Sequence, residues 1–472
     1  MGGSAQPLPE VLEELTAEGL RRSRPVIHWR ILSAPPKRAA LERPIGPLHA
    51  TAMVVGIIIG ASIFVQPSEV NRHVPSVAGV LSVWVVAGIL TLAGSLVCAE
   101  LASAYPRTGG VYVFLKETLS PVWGFLWGWA MFWSAHSGII AASSVILARY
   151  VAFFVPLGDR GIRAAAVAGI LVLSFVNYLG VRQGSLLQTA VTVAKVIAIG
   201  LLLAMVLAFG SPAQRPAPAA LATAVSFREF VLAVSAALFT FGGWHMVTYT
   251  AGETRNPGRT IPQALVIGSV VVTACYVALN AAYLYLLPLD QVTSSARVAA
   301  DAAQAMAGAR GAGAISALVI LSAIGVLNGV ILAGPRTYFA MADEGLAFGW
   351  LRHIHPRFHT PDRAILIQAA WSCVLVGTGT YRDLFTRVIY TEWIFFALMG
   401  IGLFRLRQRA DYVPVYRVWG YPVAPALFIG ASVVVAAIQI AADPSRAATG
   451  LLMVVLGLPV YYLWVRTKHA SH

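Results

Sequence analysis

The sequence predicts an all-α membrane protein of twelve transmembrane helices, and three observations carry that reading. Of 472 residues, 58% are hydrophobic and 11% charged, with a mean hydropathy of +0.73. A soluble domain keeps roughly a quarter of its residues charged, so this chain lacks the polar coat of a water-facing globule. The apolar residues also come in blocks long enough to cross a bilayer, for which about 20 residues suffice. Proline, glycine and charge separate the blocks, as at Ser211-Pro212, Arg215-Pro216-Ala217-Pro218 and Pro356 to Pro361.

Taken in order, the spans cover 48–70, 77–103, 121–155, 162–180, 186–209, 228–252, 263–287, 312–342, 364–380, 383–406, 421–441 and 448–465. The third and eighth are long enough to tilt or protrude. Residues 1–45 form a tail that mixes Glu10, Glu13 and Glu14 with Arg21, Arg22 and Arg24. It has no early apolar core, which excludes a secretory signal. Within it, Val11 to Leu20 reads equally as a short amphipathic helix or a loosely ordered stretch.

The net charge is +14. No basic, aromatic-interleaved face accompanies it, so nucleic-acid binding is excluded. Instead the basic residues cluster at the ends of apolar blocks. An even span count places both termini on one side. That side carries 22 of the 34 Lys and Arg, against 11 on the other, with Lys195 inside a span. The two-fold bias puts both termini in the cytoplasm. Cys98, Cys275 and Cys373 all lie inside apolar blocks, and no CxxC or zinc pattern is present.

Two spans carry glycine interruptions. The first reads Gly56-Ile57-Ile58-Ile59-Gly60-Ala61-Ser62; five spans later comes Phe239-Thr240-Phe241-Gly242-Gly243-Trp244-His245. Each internal Gly costs roughly 1 kcal/mol of helix propensity relative to Ala. Unwound backbone inside a membrane is tolerated only against protein or a water-filled cavity. Freed N–H groups there can hold a carboxylate and freed C=O groups an ammonium, the two charges of an α-amino acid. Glycine-mediated helix packing is the alternative for either motif alone. Matching positions five spans apart favour a midplane site between inverted repeats.

These residues resemble the amino acid–polyamine–organocation superfamily, and within it the L-type amino acid transporters and bacterial serine/threonine exchangers. The likeness runs from about Leu41 to Arg466. It rests on Leu41-Glu42-Arg43-Pro44-Ile45-Gly46, on Ile59-Gly60-Ala61-Ser62-Ile63-Phe64, and on Glu100 through Gly110 with Tyr112. The sixth span adds Phe239 through His245, then Glu253, Asn256-Pro257, Arg259, Ile261 and Pro262. The resemblance implies a LeuT-type five-plus-five inverted repeat with helices 1 and 6 broken. The first repeat would be 46–209, the second 228–406, and 407–472 would hold helices 11 and 12 and a short cytoplasmic C-terminus. It also implies that Ile57, Gly60, Ala61, Ser62, Phe239, Phe241, Gly242, Gly243 and His245 surround the substrate, with Phe239 as a gating aromatic. Relatives usually have Gly-Ser-Gly where this chain has Gly60-Ala61-Ser62, which implies a small pocket suited to Ala, Ser, Gly or Thr. His245 stands where relatives often carry Asn.

Lys195 lies in an otherwise uncharged span. A central membrane Lys costs about 2.5–3.5 kcal/mol on insertion scales and is a functional-site hypothesis by default. The resemblance makes it a substitute for the sodium ion of sodium-coupled relatives, bridging helix 1 to helix 8 near Asn328 and Gly329. Glu392 and His136 are titratable groups inside spans, read as proton sites or as structural partners. His353, His355 and His359 share a loop interrupted by Pro356 and Pro361, without helical metal-ligand spacing, so no metal and no cofactor is expected.

The expected function is sodium-independent transport of small neutral L-amino acids by exchange or facilitated diffusion, in the plasma membrane and by resemblance the bacterial inner membrane. A proton-coupled permease of the same fold is the alternative, and an amino acid sensor a third. No arrangement of nucleophile and base suggests an enzyme. The loop Pro156-Leu157-Gly158-Asp159-Arg160-Gly161 has no Cys, so no disulfide-linked heavy chain is expected.

Overall fold

In the computed structural model, helices lie over every stretch that hydropathy picks out. The structure describes residues 41–213, 225–295, 297–379 and 381–469. The tail at 1–40, including Val11 to Leu20, and the linker Arg215 to Pro218 lie outside the described residues. In order the helices are α1 (Pro47–Ile58), α2 (Pro67–His73), α3 (Val77–Ala104), α4 (Val111–Thr118) and α5 (Pro121–Val151). Then follow α6 (Asp159–Tyr178), α7 (Val181–Phe209), α8 (Phe227–Thr240), α9 (Pro257–Leu286), α10 (Leu289–Ser294) and α11 (Val298–Asp343). The chain ends with α12 (Asp362–Thr378), α13 (Tyr381–Arg407), α14 (Val423–Ala442), α15 (Pro444–Val455) and α16 (Gly457–His469).

Among the described residues, nine helical segments are long and apolar enough to cross a membrane. Three expected spans fall outside that set for local reasons. The α1 helix stops after 12 residues and α12 has 17, while the first part of α13 lies outside the residues whose side chains are described. Helix starts follow capping chemistry. The Ser76 hydroxyl accepts the Gly79 N–H at 3.1 Å, Ser226 accepts that of Glu229 at 3.2 Å, and Asp443 accepts that of Arg446 at 3.0 Å.

Small residues let the helices approach closely, as expected where lipid supplies no hydrophobic contrast. Ser95 of α3 and Ser269 of α9 share a hydrogen bond of 2.7 Å. A side chain at Gly268 would collide with Val54 of α1. At Gly56 it would strike Thr192 and Gln188 of α7, so Gly56 serves packing rather than the break.

The break itself comes at Ile59 and Gly60, where Gly60 is extended before a 3₁₀ turn at Ala61–Phe64. The partner break follows α8. Gly243 takes φ +94, in the left-handed region that favours glycine, and a 3₁₀ run continues over Trp244–Glu253. The outer ends of the two broken segments are tied together. Ile45 donates its N–H to the Glu253 carbonyl at 3.1 Å, and Arg255 returns one to Ile45 at 2.9 Å.

Candidate functional site

The two breaks face one cavity of ≈ 170 Å³. Its walls include Ile57, Gly60, Ala61 and Ser62 from the first break, with Phe239, Gly242 and Gly243 from the second. The first N–H groups of any helix start have no intrahelical acceptor, and Ala61 and Ser62 open the 3₁₀ turn at that wall. Phe239 stands 43% exposed.

The carbonyls freed by the first break are taken by two buried side chains. Lys195 Nζ donates to Gly56 O at 3.0 Å and Ile59 O at 2.6 Å. It also reaches Ser322 O of α11 at 3.5 Å. Lys195 therefore does bridge the first break to α11, but through Ser322 and the open face of Gly325. Asn328 sits elsewhere. It donates to Gly184 O at 3.1 Å and Gln188 Oε1 at 2.8 Å, and accepts from Asn177 at 2.9 Å. Nearly two helical turns separate Ser322 from Asn328, and spacing alone does not choose between them.

The second side chain, Tyr276, has no signal in the sequence. Its hydroxyl lies 2.8 Å from Ile58 O and 3.1 Å from Thr240 O, one carbonyl from each break. A tyrosine in an apolar span carries no charge to betray a role, and the contact with Ile58 spans 218 positions in the chain.

Phe241 and His245 are corrections to the expected substrate shell. The turn after α8 sends Phe241 away from the cavity, onto Tyr276 and Trp84 at 4.9 and 6.3 Å between ring centres. His245 packs among Trp127, Tyr249 and Phe396. Side chains across a break stop following one helical face, so a contiguous motif overstates what lines the cavity. In the other direction, Glu392 does line it, only 6% exposed. His136 lies behind the wall, its Nδ1 2.9 Å from the Tyr338 hydroxyl. The remaining wall is mostly apolar, with Ile139 and Ala142 from α5 and Ala323, Val326 and Val330 from α11, and Ser143 and Thr240 as its polar members.

On the side of α11's C-terminus the helices are joined by ion pairs. Arg336 and Glu253 are fully buried and form a two-pronged pair at 2.8 and 3.0 Å. Nearer the surface, Lys116 pairs with Glu344 at 2.9 Å and Glu117 at 3.1 Å, while Arg107 meets Glu117 at 2.6 Å. Burial alone would raise the Glu117 carboxyl, but hydrogen bonds from Arg107 and Lys116 outweigh it and hold it below its usual range. Across the bundle's end, buried Glu100 accepts from Arg407 at 2.8 and 2.6 Å. Burial and the Glu100 charge push the Tyr416 phenol up to about 12.

Comparison with known proteins finds relatives along nearly the whole chain. The profile of a family described as amino acid permease matches residues 45–464. The serine/threonine exchanger SteT of Bacillus subtilis (strain 168) is 33% identical over 427 residues, covering 89% of this chain and 97% of the relative. The human b(0,+)-type amino acid transporter 1 is 28% identical over 451 residues, covering 93% of this chain and 91% of the relative. The mouse Asc-type amino acid transporter 1 is 29% identical over 442 residues, covering 91% of this chain and 82% of the relative.

Proposed function

We propose that this chain, which belongs to the amino acid permease family, carries small neutral L-amino acids without sodium. It would do so by alternating access, through twelve crossings arranged as a five-plus-five inverted repeat. The observation that carries the proposal is Lys195. Its ammonium occupies the carbonyls of Gly56 and Ile59 and reaches Ser322, so a fixed cation already neutralises the oxygens that a bound sodium ion would need. The substrate carboxylate would meet the N–H groups at Ala61 and Ser62, and its ammonium the backbone around Gly242.

Size supports the substrate class. Ala142, Ala323 and Val326 leave ≈ 170 Å³ beside the two breaks, and the relatives named above include a serine/threonine exchanger. Rejection of one extra methylene in such a pocket is worth about 1–3 kcal/mol. The ion pairs on one side and the exposed Phe239 on the other fit a carrier open to a single face.

The test is labelled serine uptake into proteoliposomes in sodium-free buffer, with the lumen empty or loaded with unlabelled serine. Uptake into loaded vesicles alone identifies an exchanger, and equal uptake into both a facilitator. No uptake of serine, alanine or threonine in either would overturn the reading.

A further inference from the structure

Among the described residues that wall the cavity between the two breaks, Glu392 is the one carboxylic acid, and no Lys, Arg or His joins it there. It comes from α13, whereas the N–H groups assigned to the substrate's carboxylate belong to the first break and the backbone assigned to its ammonium to the second. What is left for Glu392 to meet is the substrate's side chain. Most of the wall in the same cavity, from Ala142 of α5 to Ala323 and Val326 of α11, offers carbon alone.

Two polar atoms of cavity-lining residues are unanswered by protein. Glu392 is 6% exposed and Thr240, the last residue of α8, is 2% exposed. Among the described residues, Glu392 Oε1 and Thr240 Oγ1 have no hydrogen-bond partner. The Thr240 backbone is used differently, its carbonyl accepting from Tyr276 at 3.1 Å. Tyr249 lies in electrostatic reach of the Glu392 carboxyl, while the Lys195 ammonium is committed to the carbonyls of Gly56 and Ile59. Buried polar atoms are normally answered, and an apolar residue of similar shape would avoid the cost of leaving one unanswered. Water in an open cavity can answer both. A substrate that displaces such water without replacing its hydrogen bonds loses affinity. The methyl group of alanine has nothing to give in exchange; a hydroxyl or an ammonium donates.

We propose that Glu392, with Thr240, reads the substrate's side chain and selects a short one that ends in a hydrogen-bond donor, hydroxyl or ammonium, over one that ends in methyl. The inference rests on the carrier reading above and deepens it. Size alone admits alanine and serine alike, because apolar walls distinguish an added hydroxyl weakly. A buried acceptor that the substrate must satisfy distinguishes them far more strongly, since the wrong substrate leaves it unpaired. An ammonium in place of the hydroxyl would pair with the carboxylate and extend the substrate class beyond neutral side chains. Glu392 accepts in either case, and nothing is transferred to or from it.

The test is exchange of labelled for lumenal serine by the full chain in sodium-free proteoliposomes, with unlabelled serine, alanine and 2,3-diaminopropionate as competitors. These three carry hydroxyl, hydrogen and amine on the same carbon. In the wild type, the stronger of the two donors should compete at a concentration lower than alanine's by about tenfold or more, and which of the two it is identifies the preferred group. Glu392→Leu should bring that ratio close to one. Glu392→Gln, nearly the same shape with an amide oxygen that still accepts, should keep serine ahead of alanine and lose any advantage of 2,3-diaminopropionate; it serves also if the leucine variant fails to fold, which melting in detergent reveals. A wild type for which alanine competes as well as both donors overturns the inference and leaves the carrier reading standing. So does a Glu392→Leu protein that keeps the wild-type order, or a Glu392→Gln protein that keeps the full wild-type advantage of 2,3-diaminopropionate. Absence of serine, alanine and threonine flux in the wild type overturns the carrier reading, and the inference with it.

Discussion

The ammonium of Lys195 lies 2.6 Å from the carbonyl oxygen of Ile59, the last residue before the chain turns extended at Gly60. The side chain from α7 thus satisfies a backbone group that the break deprives of its helical partner. Lys195→Ala should leave the helices formed but free the first break from α7 and α11. Hydrogen bonds to a charged group are worth about 1.5–3 kcal/mol each, so loss of one such bond from the transport cycle lowers uptake by about tenfold or more. Proteoliposome uptake, read beside thermal melting in detergent, separates loss of transport from loss of fold.

Gly243 and Gly242 should respond differently to the same substitution. At Gly243, φ is +94 and an added Cβ would sit 2.5 Å from Ile57 Cγ2, so alanine is both strained and crowded. Gly243→Ala should cut serine uptake by about tenfold or more, since left-handed backbone costs roughly 1–2 kcal/mol for an L-residue. At Gly242 the nearest atom to an added Cβ is Phe239 O at 3.4 Å. Gly242→Ala should stay folded and act mainly on KM, which concentration-dependent uptake measures.

Removing one member of the fully buried Glu253–Arg336 pair leaves the other charged and unpaired. Arg336→Met should destabilise the protein by about 3–5 kcal/mol, the usual cost of breaking a buried pair. The double variant Glu253→Gln with Arg336→Met should recover part of that loss. Melting temperatures of the single and double variants decide the matter; an Arg336→Met protein as stable as wild type would contradict the buried pairing.

Acid should loosen the ion-paired end through Glu117. Its carboxyl is held below the usual value of 4.5 in the folded protein, so its contribution to stability is complete above that value. The contribution is lost as pH falls through the lower folded value. A melting series from neutral pH to pH ~3.5 should therefore show a decline that Glu117→Gln flattens. High salt should shrink the difference, because these groups are partly exposed.

Much of the fold is legible because the bilayer imposes a length and an apolar composition on each crossing. The glycines mark both breaks, and the lone charge at Lys195 marks the residue that answers the first. Tyr276 carries no such mark. Lys195 is expected to reach α11 near Asn328 and Gly329 and contacts it at Ser322, because helical spacing fixes a face but not the depth of a contact between helices.

By itself, the sequence determined where the helices run, that two of them are interrupted, and that Lys195 requires buried acceptors; each follows from backbone propensity and the cost of charge in an apolar medium. Only the tertiary structure decided that Phe241 and His245 turn from the cavity and that Glu392 turns toward it. It also decided that Ser322 rather than Asn328 receives Lys195. Those choices depend on how α5, α11 and α13 pack around the breaks, and packing joins residues too distant in the chain for any local pattern to record.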